Sequence, residues 1–328
     1  MSVKSLRGLL LAPWAALLSG CNMVLLHPAG DVAMRQRNLM IASVVLMLLI
    51  IVPVLVAIAV VAWRYRASAK TSTYDPEWEH STKVELIVWA APLMIIIALG
   101  AMTWIGTHQL DPYRPLRRID DSQVVSAQIK PLRVEVVSLD WKWLFFYPDY
   151  GIAAVNQMAA PIDVPIDFRL TSSATMNSFF VPALAGQIYT MPGMQTVLHA
   201  VINEPGDYKG FSANYSGLGF TDMRFRFLGL SAPAFQRWVS RIKAGGGTLD
   251  RRAYQRLAQP SRAEPVHHYA SYEPDLYTRI LNRCVDPQHM CMRRMMAIDA
   301  RGGRPLAGAG ATGPVPAHGM NMGAAATH

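Results

Sequence analysis

Two stretches without a charged side chain, Leu39 to Ala62 and Leu86 to Thr107, constrain this 328-residue chain more than any other feature. Each meets the roughly 20 apolar residues needed to cross the hydrocarbon core of a bilayer. A chain carrying two such runs close together predicts a membrane hairpin. Pro53 and Pro92 fall inside the runs. Membrane helices accommodate proline where a neighbouring helix or side chain satisfies the released carbonyl, so each marks a candidate kink. Gly100, with Ala98 and Ala101, offers a small-residue surface for close helix contact.

Orientation does not follow from positive charge alone. Arg64, Arg66, Lys70 and Lys83 lie between the runs, while Arg35, Arg37, Arg114, Arg117 and Arg118 flank them on the other side. The N-terminus breaks the tie. Lys4 and Arg7, the apolar stretch Leu9 to Leu18, and the run Leu18-Ser-Gly-Cys21 read as an export signal over residues 1–20. The last run resembles a bacterial lipobox, in which the cysteine carries lipid on the outer face. The plainer alternative is a retained apolar segment with an ordinary cysteine. With Cys21 outside, two crossings place the 63–83 loop in the cytoplasm and everything after His108 outside.

The remaining chain alternates apolar and polar residues at strand period in Arg133 to Leu139, Ile166 to Thr171 and Met223 to Leu230. Pro192-Gly193 and Pro205-Gly-Asp207 punctuate these runs as turns, and together they predict an antiparallel sandwich. Trp141, Trp143, Phe145, Phe146 and Tyr147 form the densest aromatic cluster. Past Ser231 the apolar spacing becomes helical at Phe235, Trp238, Val239 and Ile242, with a second short helix over Arg251 to Leu257 and an aromatic stretch from Tyr269 to Tyr277. From Arg301 the composition of Gly, Ala and Pro predicts a disordered tail. The formal charge of +9 is dispersed, and no recognition-helix, zinc-finger or RNA-binding motif accompanies it, which argues against nucleic acid. Anionic lipid headgroups are the better partners for basic residues beside the spans.

Six ordered blocks carry a family resemblance: Tyr65-Arg-Ala-Ser, Lys83-Val-Glu-Leu-Ile-Val-Trp89, Ser138-Leu-Asp-Trp-Lys-Trp143, Met176-Asn-Ser-Phe-Phe-Val-Pro182, Gly193-Met-Gln-Thr196 and Tyr215-Ser-Gly-Leu-Gly-Phe220. Together they resemble subunit II of the cytochrome bo-type ubiquinol oxidases, within the haem-copper oxidase superfamily, from the lipobox to about Asp299. The resemblance implies a membrane α-helical hairpin joined to an all-β cupredoxin-like sandwich with a helical C-terminal extension. The expected division is signal 1–20, lipidated segment 21–38, hairpin 39–107, sandwich 108–232, extension 233–300 and tail 301–328. It implies a subunit of a proton-pumping enzyme of the bacterial inner membrane, with the C-terminal domain in the periplasm. Ubiquinol would be the substrate of the complex, haems and copper would belong to subunit I, and subunits I, III and IV would be the partners.

Related cytochrome c oxidase subunits hold two copper ions with Cys-x3-Cys-x3-His-x2-Met in one loop and an upstream His. The matching positions here read Tyr215, Gly219, Met223 and Arg226, and the upstream position reads Asn177. Copper of this kind needs thiolates completed by imidazole. No cysteine lies between Val124 and Ser231, and His199 is the only histidine there. No cofactor, metal or cytochrome c partner is therefore expected for this chain, and no catalytic residue is assigned. Trp141 sits where copper-bearing relatives keep an aromatic beside the electron-entry centre; without a metal acceptor, packing is the stronger reading for the cluster. Met191, Met194 and Met223 read as core fillers.

Glu85 stands at the expected cytoplasmic mouth of the second span. In the resembling oxidases a glutamate here lies at the entrance to a proton path, and carboxylates at membrane depth often serve proton movement. The competing reading is an interfacial glutamate paired with Lys83 or solvated by headgroups. Cys284 and Cys291 leave a disulfide open in an oxidising compartment. A metal site that includes His289 lacks a fourth ligand. Two further functions stay in view: a metal-binding membrane lipoprotein using its Met/His tail, and a cytochrome c oxidase subunit II, which the missing thiolates oppose.

Overall fold

The computed structural model describes residues 23–68, 77, 80–126 and 128–302. The expected signal, Cys21 and almost all of the expected tail lie outside these residues. Two long helices come first: α1 (Asp31–Arg64) and α2 (Thr82–Gln109). At 1.5 Å per residue, α1 is about 50 Å long, more than a bilayer core requires, so its first turns stand clear of the hydrocarbon. Pro53 and Pro92 lie inside helices that continue through them. The helices touch where Leu39 crosses Gly106: a Cβ at Gly106 would stand 2.9 Å from Leu39 Cδ2. Gly100 lies outside this contact and faces open space. Residues from Met40 to Val61 and Val84 to Ile105 leave large apolar side chains exposed, which in water would be untenable and in lipid is the stable state.

Among the described residues, the globular part is a two-sheet sandwich of twelve strands. These are β1 (Leu132–Leu139), β2 (Lys142–Tyr147), β3 (Ile152–Val155), β4 (Gln157–Pro161), β5 (Ile166–Ser172), β6 (Asn177–Phe180), β7 (Ile188–Thr190), β8 (Thr196–Ala200), β9 (Gly206–Ser212), β10 (Arg224–Leu230), β11 (Gly247–Leu249) and β12 (His267–Tyr272). One sheet runs β11-β12-β3-β2-β1-β5-β8 and the other β4-β10-β9-β6-β7. The expectation of an antiparallel sandwich is corrected in part. β1–β5, β4–β10 and β11–β12 pair in parallel, each pair joined through a crossover connection rather than a hairpin. Gly206 and Asp207 begin β9 rather than forming a free turn. Gly193 does sit in a turn, at φ +75°.

β2 explains the aromatic cluster. All six of its residues are buried, although alternate side chains of a strand point to opposite faces. Trp143, Phe145 and Tyr147 enter the core between the sheets beside Phe168, Phe179, Phe225 and Phe227. Leu144 and Phe146 point the other way, into a second core with Val137, Leu139 and Val155. That second core is closed by the C-terminal extension, through Leu249, Tyr254, Leu257, Leu276, Tyr277 and Ile280.

The extension is not purely helical. It carries α3 (Ala232–Gly245), α4 (Arg251–Leu257), α5 (Leu276–Leu281) and α6 (Met292–Asp299), but also β11 and β12, which lengthen the larger sheet beyond β3. The α3 face of Phe235, Trp238, Val239 and Ile242 is buried, as its spacing requires. α4 starts at Asp250, whose carboxylate accepts from Ala253 N at 2.7 Å. Cys284 and Cys291 are disulfide-bonded, with sulfurs 1.95 Å apart, between α5 and α6.

Candidate functional site

The loop after β9 folds back over the sandwich edge without gathering metal ligands. Asn177 is buried at the start of β6; its amide oxygen accepts from Ser212 Oγ at 3.0 Å, and its amide nitrogen donates to Thr175 O at 3.0 Å. Both ends of this side chain are satisfied by neutral partners. Met223 is fully buried among the core aromatics, ahead of β10. Tyr215 is 74% exposed and stacks edge-on against Phe220. Arg226 leaves the sheet surface and pairs with Asp207 on β9, its Nε 3.0 Å from Oδ2. These positions therefore split between core and surface. An amide, a phenol, a thioether and a guanidinium do not form the soft, thiolate-rich set that a two-copper centre needs.

Trp141 closes the same loop. Its indole Nε1 donates to Ser216 O at 2.8 Å, and its ring lies against Gly217 and Gly219. A Cβ at Gly219 would fall inside the ring's van der Waals envelope. Trp141 is half-buried and packs against the inter-sheet core. Of the three methionines expected in the core, Met223 is there, Met191 is partly buried and Met194 is 55% exposed. His199 belongs to β8 in the other sheet. Burial pushes its imidazole below the usual range, while Asp167, 3.8 Å away, opposes that shift.

Glu85 lies in the first turn of α2, where its carboxylate faces the positive end of the helix dipole. Its partner is not Lys83: Glu85 Oε1 sits 2.6 Å from His80 Nδ1, with both side chains more than half exposed. The sequence signal missed was the histidine two residues before the helix. His289 is 3.1 Å from Asp286 and takes no part in the disulfide. Among the described residues, no group of three or more His, Cys, Asp or Glu is placed to hold a metal ion.

A node that the sequence reading did not single out joins the hairpin to the sandwich. Asp31, 2% exposed at the start of α1, accepts from Arg118 Nη2 at 2.6 Å and Arg118 Nε at 3.1 Å, and lies 3.1 Å from Arg35 Nε. Burial pushes its carboxyl up, against the pull of Arg118. Asn203 ties the same point to the sandwich: its Oδ1 accepts from Asp31 N at 3.0 Å and its Nδ2 donates to Ile119 O at 3.0 Å. Gly30 permits the approach, since a Cβ there would stand 2.8 Å from Leu184 O. An acidic residue just before a long apolar helix is a start signal that the sequence does contain.

Comparison with known proteins bears on this arrangement. Residues 243–288 match the family model described as the COX Aromatic Rich Motif, which here covers the end of α3 through the loop after α5. The chain is 48% identical over 267 residues to a cytochrome bo(3) ubiquinol oxidase subunit 2 of Pseudomonas putida, covering 81% of this chain and 82% of that one. It is 46% identical over 279 residues to the protein of the same name from Pseudomonas aeruginosa, covering 85% and 81%. It is also 46% identical over 267 residues to the ubiquinol oxidase subunit 2 of Acetobacter aceti, covering 81% and 84%. With such identity over more than four fifths of its length, the chain belongs to the ubiquinol oxidase subunit 2 family.

Proposed function

We propose that this chain serves as subunit II of a proton-pumping ubiquinol oxidase, which couples ubiquinol oxidation to the reduction of oxygen to water. The observation that carries the reading is the loop from Asn214 to Arg226: a member of an oxidase family whose copper-ligand positions are filled by Asn177, Tyr215, Gly219, Met223 and Arg226 has no soft-metal port for electrons from cytochrome c. Electrons then enter from quinol in the membrane, and the haems and copper belong to subunit I. The chain contributes two buttressing helices and an outer cap, in company with subunits I, III and IV. Its place is the bacterial inner membrane, with residues 63–83 cytoplasmic, the sandwich periplasmic and Cys21 lipidated.

Oxygen uptake by the purified complex tests this. Turnover with ubiquinol and none with reduced cytochrome c is expected; rapid turnover with cytochrome c overturns the reading. Removal of residues 301–328 is expected to leave ubiquinol turnover intact, whereas a metal-storing lipoprotein would lose its activity with that Met/His tail. Glu85 is proposed as the proton entrance, supported by its place at the mouth of α2 and by the close contact of its carboxylate with the His80 ring. Glu85→Gln is expected to lower protons pumped per electron at unchanged haem content. Unchanged pumping would leave Glu85 an interfacial residue only.

A further inference from the structure

Where the outer ends of α1 and α2 meet the sandwich, a cavity of about 490 Å³ opens beneath Arg35, Arg114, Arg117 and Arg118. The apolar run of α2 ends at Thr107 and that of α1 begins at Leu39, so the cavity lies just outward of the hydrocarbon, at headgroup depth. Its charge is not internally cancelled. Asp31 is taken up by Arg35 and Arg118, and Asp121 by Arg118 again. Asp111 accepts from Tyr113 N at 3.0 Å. Arg114 uses one nitrogen on His108 O at 3.1 Å, and the Arg117 side chain makes no ion pair or hydrogen bond among the described residues.

A second observation identifies the occupant. The cavity runs into a groove shared by Gln36, Leu39, Gly106 and Leu110, which continues through Thr107 and His108 into an apolar trough along α2. That trough is walled by Ile96, Leu99, Gly100, Thr103 and Trp104. It exists because Gly100 carries no side chain and meets nothing within 4 Å. A guanidinium-lined chamber above a membrane-depth channel matches an amphiphile with an anionic head, not a free anion, for which the trough has no use. Arginine forks suit phosphate oxygens, which they can hold bidentately.

We propose that this junction is a binding site for one anionic phospholipid of the outer leaflet, its phosphodiester held by Arg114 and Arg117 and one acyl chain laid along the Gly100 trough. Such a lipid would fill the wedge between hairpin and sandwich that the Asp31 node leaves open. The site does not depend on which electron donor the complex uses.

The test uses the intact complex, washed in detergent and re-exposed to vesicles of phosphatidylcholine with a minor fraction of phosphatidylglycerol, with retained lipid counted by native mass spectrometry. Preferential retention of one phosphatidylglycerol per chain is expected. Arg114→Gln with Arg117→Gln should weaken it about thirtyfold, at about one lost headgroup attraction per residue. Gly100→Phe, which fills the trough without touching charge, should weaken it as well. Equal retention of phosphatidylcholine, displacement by millimolar inorganic phosphate, or retention unaffected by either variant would overturn the proposal. The lipid competition on the unmodified complex decides the matter even if a variant fails to assemble, and ubiquinol turnover reports separately on the oxidase reading.

Discussion

Trp141 shows how a single side chain defines the emptied loop. Its ring occupies the space above Gly219, and its indole hydrogen holds Ser216 O. Gly219→Ala is therefore expected to destabilise the protein by about 1–3 kcal/mol through overpacking. Most of that loss should vanish when Trp141→Ala is made in the same chain, and a double-mutant cycle on thermal unfolding measures the coupling. Asn177 was legible in the sequence as a lost ligand, but not as a buried amide satisfied at both ends by Ser212 and Thr175. Lys142 was not legible at all. It is 1% exposed on β2, and its ammonium donates to Leu257 O at 2.8 Å and Gln259 O at 2.7 Å, capping the end of α4. A lysine in an aromatic run reads as a surface residue until the extension is folded over it.

At the scale of elements, the hairpin was legible because two uncharged runs leave no other stable choice in a membrane protein. The anchoring of α1 was not, since Asp31, Arg118 and Asn203 are far apart in sequence. Asp31→Asn should cost about 1–3 kcal/mol, less than breaking a fully buried pair, because Arg118 is 29% exposed. Faster hydrogen exchange at Ala29 and Gly30 should accompany the loss, as both of their N–H groups donate to Ala183 O there. The segment leading into β12 has a pH dependence of its own. Ser261 and His267 hydrogen-bond the Glu264 carboxylate and hold it below its ordinary value of 4.5, against the opposing push of burial. A carboxyl lowered by folding stabilises the folded form above about pH 4.5, and this contribution is lost as pH falls through the folded value. Exchange at residues 261–268, corrected for intrinsic rate, should rise on going from about pH 5.5 to about pH 3.5. In Glu264→Gln this additional rise should disappear.

For the molecule as a whole, the extension is an integral part of the sandwich rather than an appendage. Val137, Leu139, Leu144, Phe146 and Val155 form a sheet face that only α4, α5 and the strands beside them cover. A chain ending at residue 245 would expose that face and is expected to aggregate or fail to join the haem-bearing complex; a chain ending at residue 302 should assemble. Pull-down of haem with the tagged chain distinguishes the two. The period of the strands, the helical face of α3 and the missing thiolates were all readable from local sequence, because each depends on residue type and spacing alone. So was family membership, because six ordered blocks of residues carry it. The parallel pairings, the two-faced burial of β2, the Asp31 node and the arginine-lined cavity were decided by tertiary structure. They arise where segments separated by tens to more than a hundred residues meet, and no local pattern encodes which distant partner will satisfy a buried charge or cover an apolar face.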